Sequence, residues 1–256
     1  MNTIKIEAKQ AFMIAHRGVS GLEPENSIPS FTAAGNRSYY GIETDIHVTK
    51  DGKFIVIHDE QTGRVAGEDV NVEELTYDEV RKLRLNNICG WERWNHLEDN
   101  PKSRPDLILP SLEEYVNICK KYEKKCVLEL KNRFSREDIV RVVEQIKELG
   151  YLENVIFISF VLENLIDLRS LLPEQELQFL VGKWEEETVD WLNQYSLELD
   201  IAHTILTKEI IDLVHANNHK VNCWICNRKE DADRLIEWGV DLITSDILED
   251  CRAAEK

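Results

Sequence analysis

Short apolar runs alternate with amphipathic stretches along most of this 256-residue chain. Apolar or β-branched runs bounded by polar residues predict buried strands, whereas apolar positions three and four residues apart predict helices. The pattern predicts eight strands, at residues 12–15, 41–48, 126–131, 155–159, 177–181, 199–202, 220–226 and 240–244. It predicts helices at residues 111–122, 135–149, 162–171, 186–195, 208–217 and 229–238. Eight strands that alternate with helices indicate the α/β class and a parallel (β/α)8 TIM barrel.

One part of the chain departs from this alternation. Thr49-Lys50-Asp51-Gly52 is a turn sequence that predicts a hairpin after the second strand region. Residues from about 59 to 109 then contain one clear helix and a polar stretch with tryptophans. We interpret residues 59–109 as a small insertion over the carboxyl-terminal mouth of a single barrel domain that comprises residues 1–256.

Size and charge narrow the choice of function. A (β/α)8 barrel typically needs about 250 residues, and the 43% of hydrophobic residues in this chain can fill its core. The formal net charge is −17 and the sequence pI is about 4.9. Because so acidic a chain repels polyanions, we expect neither nucleic acid nor an anionic membrane surface as a partner. An anionic substrate would need a metal ion or local basic side chains.

The chain lacks the sequence features of export or membrane insertion. Residues 1–10 contain no apolar run, so we expect no signal peptide. No run of about 18 apolar residues predicts a membrane span. Six cysteines in a chain with a large core fit a reduced compartment better than a disulfide scaffold. We therefore expect a cytoplasmic protein without stable membrane association, and the sequence indicates no particular oligomeric state.

Three acidic residues occupy the second and third predicted strands. Glu43 and Asp45 lie two residues apart, so their side chains share one face of a strand. Glu129 and Lys131 have the same spacing on the third strand. Three inward carboxylates form an oxygen-rich site that suits a hard divalent cation, Ca²⁺ or Mg²⁺. The alternative is that Glu43 pairs with Lys131 as a structural ion pair.

Two histidines follow predicted strands directly. His16 ends the apolar run 11–15, and His58 ends the run 54–57. An imidazole titrates near neutral pH and can act as a general acid or base. Arg17, next to His16, offers a planar fork for phosphate oxygens. Histidines, an arginine and paired acids at strand ends favour metal-assisted chemistry on a phosphate.

These motifs resemble the glycerophosphodiester phosphodiesterase family in order and spacing, over nearly the whole chain. The matching segments are His16-Arg17-Gly18, Pro24-Glu25-Asn26-Ser27, Glu43-x-Asp45, Thr49-Lys50-Asp51-Gly52, His58-Asp59, Leu109 to Glu114, Leu128 to Lys131, Ser159-Phe160, Val221-x-x-Trp224-x-x-Asn227 and Gly239 to Asp246. The resemblance implies the same TIM barrel and the hydrolysis of small glycerophosphodiesters to sn-glycerol 3-phosphate and an alcohol. It implies that the substrate 2-hydroxyl attacks phosphorus to form a cyclic phosphate, which water then opens.

The resemblance also implies roles for individual residues. It implies general acid and base roles for His16 and His58, Ca²⁺ or Mg²⁺ ligation by Glu43, Asp45 and Glu129, and substrate binding by Arg17, Lys131, Phe160 and Trp224. We interpret Glu25 and Asn26 as residues that cap the following helix or support the site, and His47 as a second supporting residue.

Three other functions are compatible with the same scaffold. A phospholipase D-type enzyme acting on lysophospholipids or sphingolipids would need an apolar mouth, for which Trp91, Trp94 and Leu97 are the only candidates. A metal-free sugar-phosphate isomerase would need a glycine-rich phosphate loop after the seventh strand, where the chain has the polar segment 227–230. A catalytically silent binding barrel would be expected to lack one of the histidines or acids, and none is missing.

Overall fold

A computed structural model describes residues 2–86 and 104–252. In these ranges the strands are β1 (Ile4–Ile6), β2 (Phe12–Ala15), β3 (Gly41–Val48), β4 (Phe54–Val56), β5 (Lys125–Leu130), β6 (Val155–Ser159), β7 (Leu177–Val181), β8 (Glu198–Ala202), β9 (Val221–Trp224), β10 (Leu242–Ser245) and β11 (Leu248–Asp250). The α-helices are α1 (Ile28–Gly35), α2 (Tyr77–Val80), α3 (Leu112–Lys121), α4 (Arg136–Glu148), α5 (Leu162–Leu171), α6 (Glu187–Tyr195), α7 (Lys208–Ala216) and α8 (Lys229–Trp238).

Eight parallel strands close into a barrel, which confirms the predicted (β/α)8 fold. Their order is β2-β10-β9-β8-β7-β6-β5-β3, and the pairing of β2 with β3 closes the ring. The predicted hairpin also forms, because β4 runs antiparallel to β3 with Ile46 opposite Val56. A closed ring leaves every barrel strand with two neighbours, so the carboxyl ends of all eight meet at one mouth.

Five of the eight α-helices in the described ranges begin at a serine or threonine N-cap residue. Ser111 Oγ accepts a hydrogen bond from the backbone N–H of Glu114, whose side-chain carboxylate accepts one from the Ser111 N–H. Thr76 and Glu79 form a second capping box, at α2. Each box satisfies backbone groups that a helix start leaves open, so these boundaries follow from local sequence.

Apolar side chains fill both sides of the barrel wall. The interior holds a cluster of Ile14, Val127, Ile156, Ile158, Leu180 and Leu242. The outer faces of the strands pack against the helices in a larger cluster that includes Phe31, Leu128, Phe157 and Ile201. Burying one such side chain is worth about 1.5–3 kcal/mol. The interior is therefore a packed core, and its polar residues collect towards the mouth.

The segment between β4 and α3 has an apolar cluster of its own. Its described part contains two 3-10 turns, Thr62–Arg64 and Val72–Glu74, followed by α2. Their apolar side chains pack on the β4 side of the hairpin in a cluster of Ile55, Ile57, Val72, Val80, Leu83, Leu85, Leu107 and Leu109. Trp91, Trp94 and Leu97, the candidates for an apolar mouth, lie outside the described residues. No helix in the described ranges is long and apolar enough to cross a membrane.

The two ends of the described chain are joined by a small parallel sheet. Ile4 of β1 lies opposite Leu248 of β11. Glu249 is 2% exposed and accepts hydrogen bonds from the Thr3 hydroxyl and from the N–H and hydroxyl of Ser38. Lys5 Nζ lies 2.6 Å from its Oε1. Burial alone would raise the pKa of Glu249, but these donors hold it down at about 2, so its carboxylate is a charged link between the chain ends.

Candidate active site

The carboxyl ends of the barrel strands surround a cavity of about 280 Å³. Its lining consists of His16, Arg17, Glu43, His58, Glu129, Ile158, Phe160, Leu180, Asp200, Trp224, Ile225 and Thr244. Seven of these are residues that the sequence analysis selects. The other two selected residues, Asp45 and Lys131, contact one another, with Lys131 Nζ 3.4 Å from Asp45 Oδ1. The structure therefore brings all nine predicted site residues to the mouth of the barrel.

Three buried acids form the polar centre of the cavity. Asp45 lies opposite Glu129 in the β3–β5 pairing, and Glu43 precedes Asp45 by two residues on the same face. One oxygen from each of the three carboxyl groups lies within 4.8 Å of the others. Burial, reinforced by the charge of Asp45, raises the pKa of Glu43 well above its usual range and that of Glu129 to about 8. Without a cation Glu43 and Glu129 therefore hold protons near neutral pH. Burial would also raise the pKa of Asp45, but the charges of Lys131, His58 and Arg17 hold it well below its usual range.

The acid cluster fits a divalent cation. Asp45 Oδ1 and Glu129 Oε1 are buried and have no hydrogen-bond partner among residues 2–86 and 104–252. Buried carboxylate oxygens without donors are costly unless a cation lies beside them. Carboxylate oxygens are also the ligands that Ca²⁺ and Mg²⁺ prefer. Glu43, Asp45 and Glu129 are thus the residues that could hold such an ion.

Lys131 supplies part of the missing positive charge. Its Nζ lies 2.9 Å from Glu129 Oε1 and 3.4 Å from Asp45 Oδ1. Burial would lower the pKa of Lys131, but the charges of Asp45 and Glu129 raise it, so the ammonium stays charged. Within the described chain Lys131 forms its ion pairs with Asp45 and Glu129, and the alternative pairing with Glu43 is not found.

A buried carboxylate holds His16 in place. His16 Nδ1 lies 2.7 Å from Asp246 Oδ1, and its Nε2 lies 4.0 Å from Glu43 Oε2. Asp246 also accepts hydrogen bonds from Ser20 Oγ and Asn227 Nδ2, both at 2.7 Å. A carboxylate at Nδ1 fixes the ring orientation and directs Nε2 towards the acids. Asp246 lies at the end of the matching segment Gly239 to Asp246, but the sequence alone predicts no role for it.

His58 has an equivalent partner in its neighbour. His58 Nδ1 lies 2.5 Å from Asp59 Oδ1, and Arg64 Nε donates to the second oxygen of Asp59 at 2.6 Å. Burial would raise the pKa of Asp59, but the hydrogen bonds from His58 and Arg64 lower it. The ring of His47 joins the His58 carbonyl oxygen to Glu73, at 3.0 and 2.8 Å. The prediction of a supporting role for His47 therefore agrees with its contacts.

Arg17 and Arg64 share one carboxylate. Arg17 Nη1 donates to Glu25 Oε1 at 2.6 Å, and Arg64 binds both oxygens of Glu25 at 2.8 and 2.9 Å. The backbone N–H of Arg17 donates to Glu43 Oε2 at 2.7 Å. Arg17 Nε lies 3.5 Å from Asp45 Oδ2, so the guanidinium faces the acid cluster as well as Glu25. Glu25 therefore connects the His16 and His58 sides of the cavity.

The loop after His16 is tightly constrained. Arg17 and Asn26 have positive φ angles of 53° and 50°, and a Cβ on Gly18 would lie 2.4 Å from Ser30 Oγ. Asn26 Nδ2 donates to Asp45 Oδ2 at 2.8 Å. The cap of α1 is Ser27, so of the two roles expected for Glu25 and Asn26, capping the helix or supporting the site, their contacts agree with support of the site.

Aromatic side chains form the wall across from the acids. Phe160 and Trp224 meet edge to face, with ring centroids 5.6 Å apart. Phe160 is 44% exposed, whereas the Trp224 indole nitrogen is buried without a hydrogen-bond partner in the described ranges. Asp200 of β8 is the charged lining residue that the sequence analysis does not select. The sequence feature that could have identified Asp200 is a single acid on the inward face of a predicted strand, between two apolar residues.

Comparison with known proteins gives a family with this arrangement. A sequence profile described as the glycerophosphoryl diester phosphodiesterase family matches residues 16–249. The chain is 29% identical over 244 residues to the glycerophosphodiester phosphodiesterase of Caldanaerobacter subterraneus subsp. tengcongensis, covering 93% of this chain and 94% of that protein. It is 26% identical over 268 residues to a human lysophospholipase D, covering 93% and 85% of the two chains.

Solved structures share the fold. An Oleispira antarctica phosphodiesterase in complex with the product sn-glycerol-3-phosphate superposes with a TM-score of 0.82 at 23% identity, covering 94% of this chain and 96% of that one. A glycerophosphodiester phosphodiesterase from Parabacteroides distasonis superposes with a TM-score of 0.75 at 26% identity, covering 93% of each chain. Both matches extend over more than nine tenths of the chain.

Proposed function

This chain belongs to the glycerophosphoryl diester phosphodiesterase family of phosphoric diester hydrolases, and we propose that it cleaves small glycerophosphodiesters to sn-glycerol 3-phosphate and an alcohol in a metal-dependent reaction. The observation that carries the proposal is the buried cluster of Glu43, Asp45 and Glu129 in one cavity with two carboxylate-bound histidines. The product bound to the Oleispira antarctica neighbour supports the same substrate class.

Glu43, Asp45 and Glu129 are the proposed ligands of the cation, Ca²⁺ or Mg²⁺. When bound, such an ion stabilises negative charge on phosphate oxygens and orients the substrate. One oxygen from each of the three carboxyl groups lies within 4.8 Å of the others, which supports this assignment. Lys131 and Arg17 add fixed positive charge beside the cluster, so the cavity can attract a phosphate although the chain carries a net charge of −17.

His16 and His58 are the proposed acid–base pair. One imidazole takes the proton of the substrate 2-hydroxyl as its oxygen bonds to phosphorus, and the other gives a proton to the alcohol oxygen as its bond to phosphorus breaks. The cyclic phosphate that results is then opened by water, with the proton transfers reversed. Asp246 and Asp59 each bind an Nδ1 atom, so the Nε2 atoms are the reactive ones.

A substrate panel tests this function. Glycerophosphocholine, glycerophosphoethanolamine and glycerophosphoglycerol should all be hydrolysed with Ca²⁺ or Mg²⁺ present, and EDTA should abolish turnover. A 2-deoxyglycerol diester should bind without turnover, because it lacks the nucleophile. If the protein hydrolyses none of the three diesters, the proposed activity is refuted. Full turnover in metal-free enzyme would refute the metal role.

A lysophospholipid belongs in the same panel, because a human relative is named a lysophospholipase D and Phe160 presents an exposed apolar ring beside the cavity. The soluble diesters should be the better substrates. A long-chain lysophospholipid that is hydrolysed faster than all three would favour the lipid enzyme instead.

A further inference from the structure

The cavity contains one buried carboxyl group that the proposed chemistry does not use. Asp200 in β8 lines the cavity together with His16 and Glu43. Its side chain is 2% exposed, and its Oδ1 atom has no hydrogen-bond partner among residues 2–86 and 104–252. Burying a polar oxygen without a hydrogen bond is unfavourable. A ligand group that donates to this oxygen would remove the penalty.

The barrel places Asp200 across the cavity from the acid cluster. Inward residues of alternate strands form layers in a (β/α)8 barrel. Glu43 of β3, Ile158 of β6, Asp200 of β8 and Thr244 of β10 come from alternate strands, and all four line the cavity. Because β3 and β8 lie half a ring apart in the strand order, Asp200 lies on the opposite wall from Glu43.

Asp200 also lies deeper than the aromatic wall. It pairs in register with Asn222, whereas Trp224, two residues nearer the mouth, pairs with Ala202. The variable alcohol of a phosphodiester needs room at the mouth, so the deep end of the cavity suits the constant glycerol unit. With phosphorus beside Arg17 and the acids, the glycerol carbons extend towards the opposite wall.

Polar neighbours hold the Asp200 carboxyl in one orientation. Asn222 hydrogen-bonds to it, donates to Gln178 Oε1 at 3.0 Å and accepts from Thr244 Oγ1 at 3.3 Å. Burial, together with the nearby charge of Glu129, raises the pKa of Asp200 well above its usual range. A carboxyl oxygen accepts a hydrogen bond from a hydroxyl in either protonation state, so recognition of a hydroxyl does not depend on this shift.

We propose that Asp200 binds the terminal hydroxyl of the substrate's glycerol unit, the hydroxyl farthest from the phosphate, and thereby selects diesters in which that hydroxyl is free. This inference rests on the proposed function and extends it to substrate choice. A 1-acyl lysophospholipid carries an ester at that position and cannot donate to Asp200. The same contact would leave the 2-hydroxyl, on the adjacent carbon, beside the phosphorus.

The test compares two substrates in three proteins. Glycerophosphocholine has the terminal hydroxyl, whereas 2-hydroxypropyl phosphocholine keeps the nucleophilic 2-hydroxyl and lacks the terminal one. Asp200→Leu should lower kcat/KM for glycerophosphocholine about 10–100-fold and change that for the analogue less than about threefold. Asp200→Asn, which keeps an accepting oxygen at nearly the same volume, should stay within about fivefold of wild type on both substrates.

Product binding gives a readout independent of turnover. Calorimetry should show that Asp200→Leu weakens binding of sn-glycerol 3-phosphate and leaves binding of 1,2-propanediol 1-phosphate unchanged. Gln178→Leu is the matched control, because Gln178 accepts a hydrogen bond from Asn222 but does not line the cavity. This control should lower Tm without changing the ratio of kcat/KM between the two substrates.

The outcomes separate the inference from the function on which it rests. Equal losses on both substrates in Asp200→Leu would overturn the hydroxyl contact while hydrolysis of glycerophosphocholine by wild type upholds the function. A loss in Asp200→Asn as large as in Asp200→Leu would overturn it as well, since a charge would then be required. Absence of hydrolysis by wild type would overturn the function and the inference together.

Discussion

The reactive side chains of the cavity are each held by a second residue. Asp246 binds His16 and Asp59 binds His58, both at Nδ1. Glu25 binds Arg17. Such partners restrict each side chain to one orientation before substrate arrives, which reduces the entropy cost of reaching a reactive geometry. At the residue scale, the proposed function therefore depends on pairs rather than on single groups.

Glu129→Gln should weaken binding of Ca²⁺ or Mg²⁺ far more than it changes folding. The substitution removes a ligand charge but almost no volume. In the metal-free protein, burial raises the pKa of Glu129 to about 8 and so already favours the uncharged carboxyl group. Titration calorimetry should show at least about a tenfold loss of metal affinity, with Tm of the metal-free protein nearly unchanged. The exposed Glu148→Gln on α4 is the control. Wild-type metal affinity in Glu129→Gln would contradict the ligand assignment.

Replacing either His16 or His58 with Ala should lower kcat at least about 100-fold, the low end of the effect of general acid–base catalysis. The double variant should be little worse than the poorer single variant, because the two groups act in one reaction. His215→Ala removes an exposed histidine that binds Asp241 and should retain full activity. If both single variants keep more than about half of wild-type kcat while folded, the acid–base assignment is wrong.

At the scale of elements, the carboxyl ends of strands supply the chemistry and other segments support it. β3 and β5 place the three acids in one register, whereas the loop that begins at His16 supplies Arg17 and Asn26 to bind two of them. The segment after β4 contributes Arg64, which joins Asp59 to Glu25. Loss of one element would therefore disturb contacts on several others.

The β1–β11 sheet predicts a pH dependence of stability at Glu249. Its pKa is lowered from 4.5 to about 2 in the folded protein, so the unfolded chain takes up this proton first as the pH falls. The stabilisation is complete above about pH 4.5 and is lost as the pH falls towards about 2. Glu249→Gln should therefore lower the free energy of unfolding at pH 7 and lower it less at pH 3.5, as measured by urea denaturation.

Glu144→Gln, an exposed substitution on α4, controls for the general effect of removing one charge. The free energies of unfolding of wild type and Glu249→Gln could instead differ by the same amount at pH 7 and at pH 3.5. That result would show that the ion pair with Lys5 and the hydrogen bonds to Thr3 and Ser38 do not lower the pKa of Glu249.

At the scale of the whole molecule, a barrel resolves the conflict between an acidic chain and an anionic substrate. The net charge of −17 is spread over the whole sequence, whereas Arg17 and Lys131 lie beside the acid cluster at the mouth. Because distant charges are screened within about 10 Å at moderate ionic strength, the groups that line the cavity set the field inside it. In the proposed function, Arg17 and Lys131 together with the bound cation would offset the acid cluster there and attract the phosphate.

Much of this arrangement was determined by the sequence alone, because the responsible signals are local. Strand and helix positions follow from the spacing of apolar residues, and the helix starts at Thr76 and Ser111 follow from capping boxes. The shared face of Glu43 and Asp45 follows from the two-residue period of a strand. Counting eight strands was then enough to predict a barrel and to place their carboxyl ends at one mouth.

The tertiary structure alone decided which groups meet across the barrel. His16 and Asp246 are 230 residues apart and come together because β10 pairs with β2. The two-residue period of a strand placed Glu43 and Lys131 on inward faces but did not determine their partners. The distances in the structure pair Lys131 with Asp45 and Glu129. Asp200 reaches the same cavity only because the ring closes. Periodicity determines the face on which a side chain lies, whereas strand order and register determine its neighbours.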